Sequence, residues 1–467
     1  MQRVIRAGRA SAKSIERTVF GPRSQQLLDI SLGQTGLSLG VLDHHQDGPM
    51  ECSRFTFDRR WLSNRRCFSP SPDLRLHARD QWTNPSSVPV SPFFAALSDT
   101  QPDGFARSIL DQALGETGIL DHPLSVLESR ELRSLCAVHD LCRLGALRVR
   151  PRTERLVVSG DAIQLPLAGD LDAMVEACKG FEQGQADQHQ LQLLLNCATA
   201  LGGSRPKISF VQDNGGVAVA RLPRSEDEHP VVRIEMLFNV LAKAAGLLVA
   251  EAHMMPLRCG PVLITQRFDR GEGGRRSPYL SARSLLQLQD NEAVNVRELL
   301  EAMRANCRCF SEDGPQLWRR LVFMRLVNAT SHALCKIGFI YGDRGRWRLA
   351  PACGIRPCLG PRNNAQEFPS SCWGVARNLE TLLSRSEMFA VPSTEAHEAL
   401  ARMVQVVGRW KEQAAAFAVG MKSGEIEQLE VVMNNESLQR ARDLLVHRNG
   451  SSKLLEGVHP VHSNLIA

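Results

Sequence analysis

The chain has 467 residues, of which 43% are apolar and 23% charged, and a formal net charge of +6. That length and balance fit a globular protein of two or three domains, and no apolar run approaches the ~20 residues of a membrane span. The N-terminus lacks an apolar signal-peptide core, so a cytoplasmic protein without membrane contact is expected.

Residues 1–26 read as a basic flexible tail. Arg3, Arg6, Arg9, Lys13, Arg17 and Arg23 stand there against Glu16 alone. An arm that touches nucleic acid is the other reading of this charge run. Leu28 to Gly33 and Leu37 to Leu42 alternate apolar with small or polar residues around the turn Gly33 to Gly36, which predicts a β-hairpin. Phe55, Phe57, Trp61 and Leu62 continue that pattern, and Ser69 to Pro92 is a Pro/Ser-rich loop region. Pro102-Asp103-Gly104 sets a turn, with Asp103 expected to cap the following helix. Leu124 to Leu127 and Leu132 to Leu141 look helical, and Gly145 to Arg150 forms a closing strand. Residues 27–150 are thus expected to form a β-rich N-terminal domain.

Residues 151–265 form the next unit. Helical stretches at Leu171 to Cys178 and Leu191 to Ala200 precede Leu201-Gly202-Gly203-Ser204-Arg205-Pro206-Lys207. Glycines let backbone amides approach phosphate oxygens, and Arg205 and Lys207 add positive charge. Alone this is a weak signal, since Gly-Gly-Ser is more often a plain turn. The strands Ile208 to Val211 and Val217 to Leu222, joined by Asp213 to Gly216, form a hairpin behind it. A helix is predicted from Pro230 to Ala245, ended by Gly246, and its Glu235 either pairs with Arg221 or is solvated.

Residues 266–447 read as a helical lobe. The strand Val262 to Thr265 leads into Gln266-Arg267-Phe268-Asp269-Arg270, followed by helices at Ala282 to Leu288, Val296 to Cys307 and Pro315 to Val327. From Pro392-Ser393-Thr394 a helix carries Leu400, Met403, Val404, Val407, Trp410, Ala414 and Phe417 at three-to-four-residue spacing, a core face. Residues 448–467 form a polar tail. The thirteen cysteines are scattered with no Cys-x-x-Cys pair, and Cys307-x-Cys309 and Cys353-x4-Cys358 have no matching partner set, which favours buried reduced thiols over zinc.

Trp318 to Pro357, read together with Gly203 to Lys207, Ala220 to Pro223 and Arg267 to Arg270, resembles the HipA family of toxin-like bacterial serine/threonine protein kinases. The resemblance spans roughly residues 27–420 in order and spacing. It implies an α+β, two-lobed protein-kinase-like fold with an N-terminal β-rich domain and a helical C-lobe. It further implies nucleotide contacts at Gly203, Ser204, Arg205, Lys207, Arg221, Gln266 and Phe268. The family carries a catalytic Asp, a metal-binding Asn five residues on, and a second metal-binding Asp in a Pro-Ala-x-Asp turn. Here those positions hold Ser331, Lys336 and Gly354, and the family's phosphate-holding Lys is Arg221. Ser331 cannot act as a base near neutral pH, and Lys336 repels a metal. His332 and Asp343 are conceivable replacement bases, although Asp343 reads more plainly as a surface turn residue. The expectation is therefore a catalytically impaired toxin-like protein that binds ATP weakly and without Mg²⁺. It would act on a protein partner such as a helix-turn-helix antitoxin, reaching DNA only through it. An active kinase with atypical catalysis is the alternative, and a decayed gene product a third reading.

Overall fold

The computed structural model describes residues 24–448 apart from 86–90, 116–118, 120–121, 153–163, 289–291, 293, 330–335, 343–344, 358 and 360–377. The expected hairpin is present: β1 (Ser24–Leu32) pairs antiparallel with β2 (Leu37–Asp47), starting slightly before the expected Leu27. Gly33 and Gly36 turn the chain with φ of +72° and +67°, a region a side chain rarely enters. With β3 (Met50–Phe57), β4 (Gln81–Trp82) and β5 (Leu147–Pro151) they build an antiparallel sheet of order β4-β3-β2-β1-β5. Leu28 and Ile30, and Phe55 and Phe57, two apart in their strands, are buried on it.

Of the helices of eight residues or more, α1 (Phe105–Ala113) and α2 (Arg130–Ala137) follow this sheet in the first domain. The stretch expected to be helical to Leu141 stops at Ala137, and Pro123–Val126 is a short 3₁₀ turn. Next come α3 (Leu171–Glu182) and α4 (Gln188–Cys197). Asp187 caps α4 by accepting from the Gln190 amide at 2.7 Å.

A second antiparallel sheet, order β6-β7-β9-β8, is formed by β6 (Lys207–Val211), β7 (Val217–Arg221), β8 (Ala252–Met255) and β9 (Val262–Gln266). Helix α5 (Val231–Ala244) packs against β8 and β9. Its Val231, Ile234, Leu237, Phe238 and Leu241, three to four residues apart, are buried. A third sheet, β10-β11-β12 (Tyr279–Ser281, Gly338–Tyr341, Trp347–Leu349), opens the C-lobe. The lobe's helices are α6 (Val296–Asn306), α7 (Phe310–Leu326), α8 (Ser393–Gly408), α9 (Ser423–Met433) and α10 (Glu436–Arg448). The molecule thus has the kinase-like α+β architecture.

Helix α7 is central. Trp318, Leu321, Val322 and Phe323 are fully buried, and the Trp318 indole donates to the Leu382 carbonyl at 2.9 Å. Each such side chain contributes on the order of 1.5–3 kcal/mol by leaving water. The apolar stripe expected through Phe417 is interrupted instead. Arg409 leaves helical geometry (φ −98°, ψ 20°) after Gly408, a short helix Trp410–Ala415 follows, and Phe417 is fully exposed. No helix among the described residues is long and apolar enough to cross a membrane.

There are two apolar cores. The larger runs from the N-terminal sheet through α5 into the C-lobe. The smaller gathers Phe105, Ile109, Leu110 and Ala113 of α1 with α3, α4 and one face of β6, β7 and β9. Helix α1 therefore leaves its own sheet to pack on the second unit.

A buried ionic junction also ties the units together. Arg267 donates to both Asp269 oxygens at 2.7 and 2.6 Å, and to the carbonyls of Cys142 and Arg143 at 3.1 and 2.8 Å. Arg270 and the Gly145 amide complete the Asp269 carboxylate at 2.7 Å each. Burial alone would raise the Asp269 carboxyl, but Arg267 and Arg270 hold it below the usual range. The Arg-Phe-Asp-Arg segment thus fastens residues 142–145 to the end of β9.

Candidate functional site

A cleft of about 1370 Å³ lies where the N-terminal domain, the second sheet and the C-lobe meet. The loop Leu201 to Lys207, Arg221 at the end of β7, Glu235 on α5, Lys336 ahead of β11 and the segment Ala350 to Arg356 all line it. Residues far apart in sequence, Gly203 to Lys207, Lys336 and Gly354, therefore share one cavity.

The glycine loop is shaped by its neighbours. Gly202 and Gly203 take φ of +61° and +92°. The Phe105 amide at the start of α1 donates to the Gly203 carbonyl at 3.0 Å. Gly104 approaches so closely that a Cβ there would lie 2.4 Å from that carbonyl group. Asp103 does not cap α1 as expected: its carboxylate accepts from the Gly104 amide at 2.6 Å, and Gly104 itself is the cap residue. The physical reason is this backbone approach, which requires a residue without Cβ at the cap.

Lys207 is buried and donates to the Arg205 and Gly203 carbonyls at 3.0 and 3.3 Å. Burial, and then repulsion from Arg221, pushes its amine down to about 7. Arg205 is engaged with Asp227, one contact being 2.7 Å. Ser204 is exposed at the cleft mouth.

Arg221 donates to Glu235 at 2.6 Å, and Glu235 is 6% exposed, so the paired reading of this residue holds over the solvated one. The resemblance assigns this ion pair to the place of a kinase Lys–Glu pair, with a planar guanidinium where that pair has a compact ammonium. Burial opposes the charge of Glu235. Arg221, Lys336, Arg356 and Lys207 outweigh it and hold the carboxyl below its usual range.

Lys336 donates to the Gly354 carbonyl at 2.7 Å. The two positions that the resemblance assigns to metal ligation are thus bonded to each other. Burial lowers the Lys336 amine, with Arg221 and Arg356 adding repulsion against the attraction of Glu235. Gly354 has φ of +62°, and a Cβ on it would stand 3.1 Å from Glu235 Oε1 and 3.2 Å from an Arg221 nitrogen.

Phe268 lines the cleft, half-buried, with its ring 6.0 Å from that of Tyr279. Gln266 does not line it; its amide is used by the Glu251 carbonyl at 2.8 Å. Ser331, His332 and Asp343 lie outside the described residues. Sequence reasoning missed several cations of this cleft, Arg356 and Arg320 among them. Arg356 follows Gly354 and acts on Glu235. Arg320, on α7, is 2% exposed, borders the cleft, and donates to the Ala350 carbonyl at 2.8 Å. Their type and chain position gave no period or motif by which to find them.

The residues present do not fit a magnesium ion. Mg²⁺ is bound through carboxylates and substrate phosphates in near-octahedral oxygen geometry. The carboxylate nearest position 354 is Glu235, already engaged by Arg221, and the implied ligand positions supply an ammonium and a hydrogen. Asp99, also on the cleft, is used by the Ser281 amide and Ser284 hydroxyl at 2.6 and 2.8 Å.

Residues 199–410 match the HipA-like C-terminal domain. No curated protein matches the chain in sequence. Among solved structures the chain is similar to a chain of the Shewanella oneidensis MR-1 toxin–antitoxin system HipA, HipB and operator DNA complex. The TM-score is 0.58 at 15% identity, over 89% of this chain and 97% of that one. It also aligns with the Helicobacter pylori proinflammatory kinase CtkA, with a TM-score of 0.38 at 15% identity, over 53% of this chain and 93% of that one.

Proposed function

We propose that this chain, whose residues 199–410 match the HipA-like C-terminal domain, is a toxin-like protein of the HipA kind, one of a toxin–antitoxin type pair, that keeps the kinase-like cleft without its phosphoryl-transfer chemistry. It acts by binding a protein, a helix-turn-helix antitoxin being the favoured partner, and meets DNA only through that partner, in the cytoplasm. The similar Shewanella protein was solved with HipB and operator DNA, which supports the choice of partner.

The carrying observation is the 2.7 Å bond from Lys336 to the Gly354 carbonyl. Phosphoryl transfer is mostly positioning plus neutralisation of developing charge by metal ions. A cation held at the metal position removes that contribution. The base position is Ser331, and a general base alone supplies ~10²–10⁴-fold in rate. ATP, where it binds, does so weakly and without Mg²⁺, through Phe268, Lys207 and Arg221.

The test is incubation with labelled ATP and Mg²⁺, alone and with cell-lysate proteins. The original chain should incorporate no label. The variant Ser331→Asp, Lys336→Asn, Gly354→Asp restores the three family side chains, and label in that variant alone supports the proposal. Label incorporated by the original chain and abolished by Arg221→Ala refutes it. That outcome would favour an active kinase, for which the intact Arg221–Glu235 pair is the supporting observation.

A further inference from the structure

We infer that the cleft is a site for a polyphosphate chain free of divalent metal, with Lys336 supplying from the protein the positive charge that a metal ion would otherwise bring. The inference rests on the reading of this cleft as a phosphate site and deepens it by naming the ligand's charge state and the residue that selects it.

Four cations, Lys207, Arg221, Lys336 and Arg356, surround one carboxylate, Glu235. That carboxylate is consumed by Arg221 at 2.6 Å. Arg320 adds a fifth positive side chain to the wall, nearly buried, with a carbonyl as its partner. Lys207 is buried and Arg221 and Arg356 are half-buried, and cations withdrawn from water in such excess are costly unless an anion joins them. A site evolved only for packing would hold apolar groups here at no such cost.

Lys336 is the residue best placed to meet that anion. It is accessible within the cleft, and its ammonium has three donors, of which the Gly354 carbonyl takes one. The carbonyl fixes the amine in the cavity that the glycine loop also lines. The missing side chain at Gly354 leaves the Arg221 guanidinium uncovered on that side, since a Cβ there would stand 3.2 Å from it. A phosphate chain lying between the glycine loop and Lys336 would therefore meet Arg221 and Arg356 as well.

The sign of the metal effect follows. A magnesium ion on the phosphates would bring a second cation against Lys336 and remove negative charge that the cleft is built to neutralise. Metal should weaken binding here, opposite to its effect in a site made of carboxylates.

The experiment is isothermal titration calorimetry on the full chain with ATP and with inorganic tripolyphosphate, in EDTA and in excess Mg²⁺. Metal-free ligand should bind, and Mg²⁺ should weaken it about tenfold, since one charged contact is worth roughly that factor. Lys336→Met should weaken metal-free binding by about the same factor and erase the Mg²⁺ penalty. Arg356→Met, as a second variant, should weaken binding while leaving the penalty in place. Equal binding of both ligands identifies the phosphate chain as the recognised group; ATP alone binding adds a contact from the base near Phe268. Stronger wild-type binding in Mg²⁺ overturns the inference, as does unchanged affinity in both variants. Failure of both ligands to bind also overturns it, yet leaves the catalytically silent reading standing. Label transfer in the kinase assay overturns that reading instead, and Lys336→Met then decides this one alone.

Discussion

Two ionic clusters, one just past the end of β9 and one in the cleft, are built on opposite principles. At the junction, Asp269 receives Arg267, Arg270 and the Gly145 amide, and Arg267 spends its remaining donors on the carbonyls of Cys142 and Arg143. Every strong charge there has a fixed partner, and the cluster fastens chain to chain. In the cleft, four cations share Glu235. The first cluster is complete in the protein alone. The second is complete only with an anion from outside. The difference teaches that charge burial by itself marks neither a site nor a staple; the balance of donors against acceptors does.

Breaking the complete cluster should cost most. Asp269→Ala leaves Arg267 buried without its carboxylate, and removal of one partner of a buried pair costs about 3–5 kcal/mol. Urea unfolding of the variant should show that loss. The pH dependence has a definite sign. The folded Asp269 carboxyl lies below its unfolded value, so its contribution is present above the ordinary carboxylate range and lost as pH falls through the folded value. The variant's deficit should therefore shrink in acid.

Glu235→Gln tests the incomplete cluster and should cost less, about 1–3 kcal/mol, because Arg221 keeps some solvent contact. It should also do what no change at Asp269 can: removing the carboxylate that faces all four cations should tighten metal-free polyphosphate binding. Equal destabilisation with no gain in binding would erase the distinction between the two clusters.

The effect at Lys207 is expected in the pH dependence of stability. Its folded amine sits at about 7 against an ordinary value of 10.5, so the unfolded chain binds more protons between those values. Stability should rise with pH across that window, the cost of the buried charge being largest below about 7. Lys207→Met should therefore raise the melting temperature at pH 6 more than at pH 9. A melting temperature change independent of pH would show that the amine is not desolvated in the folded protein.

Much of the fold is legible along the chain because it follows local period. The turn glycines and alternation from Leu28 to Leu42 give β1 and β2, and the apolar spacing from Val231 to Leu241 gives α5. The cap at Asp103 and the stripe through Phe417 are misread for reasons that no local pattern carries. Gly104 caps α1 because Gly203 crowds it, and the break at Arg409 follows a glycine inside an otherwise helical period. The site divides the same way. Glycine loop, Arg221, Lys336 and Gly354 stand out by resemblance to a motif, whereas Arg320 and Arg356 enter only when β12 and α7 are brought to one cavity. Glu235 is ambiguous in sequence because an isolated charge on a helix is usually solvated, and only the packing of α5 on the second sheet, which brings it to Arg221, decides the matter.

The close approach of Gly104 to Gly203 carries a mechanical consequence. The Gly203 carbonyl is held by the Phe105 amide, and Gly104 leaves no clearance beside it. The loop over the cleft and the first turn of α1 consequently behave as two ends of one lever, with α1's remaining length anchored in the smaller core through Ile109, Leu110 and Ala113. Displacing the loop would break the hydrogen bond that also seats the first turn of the helix, so one contact holds both.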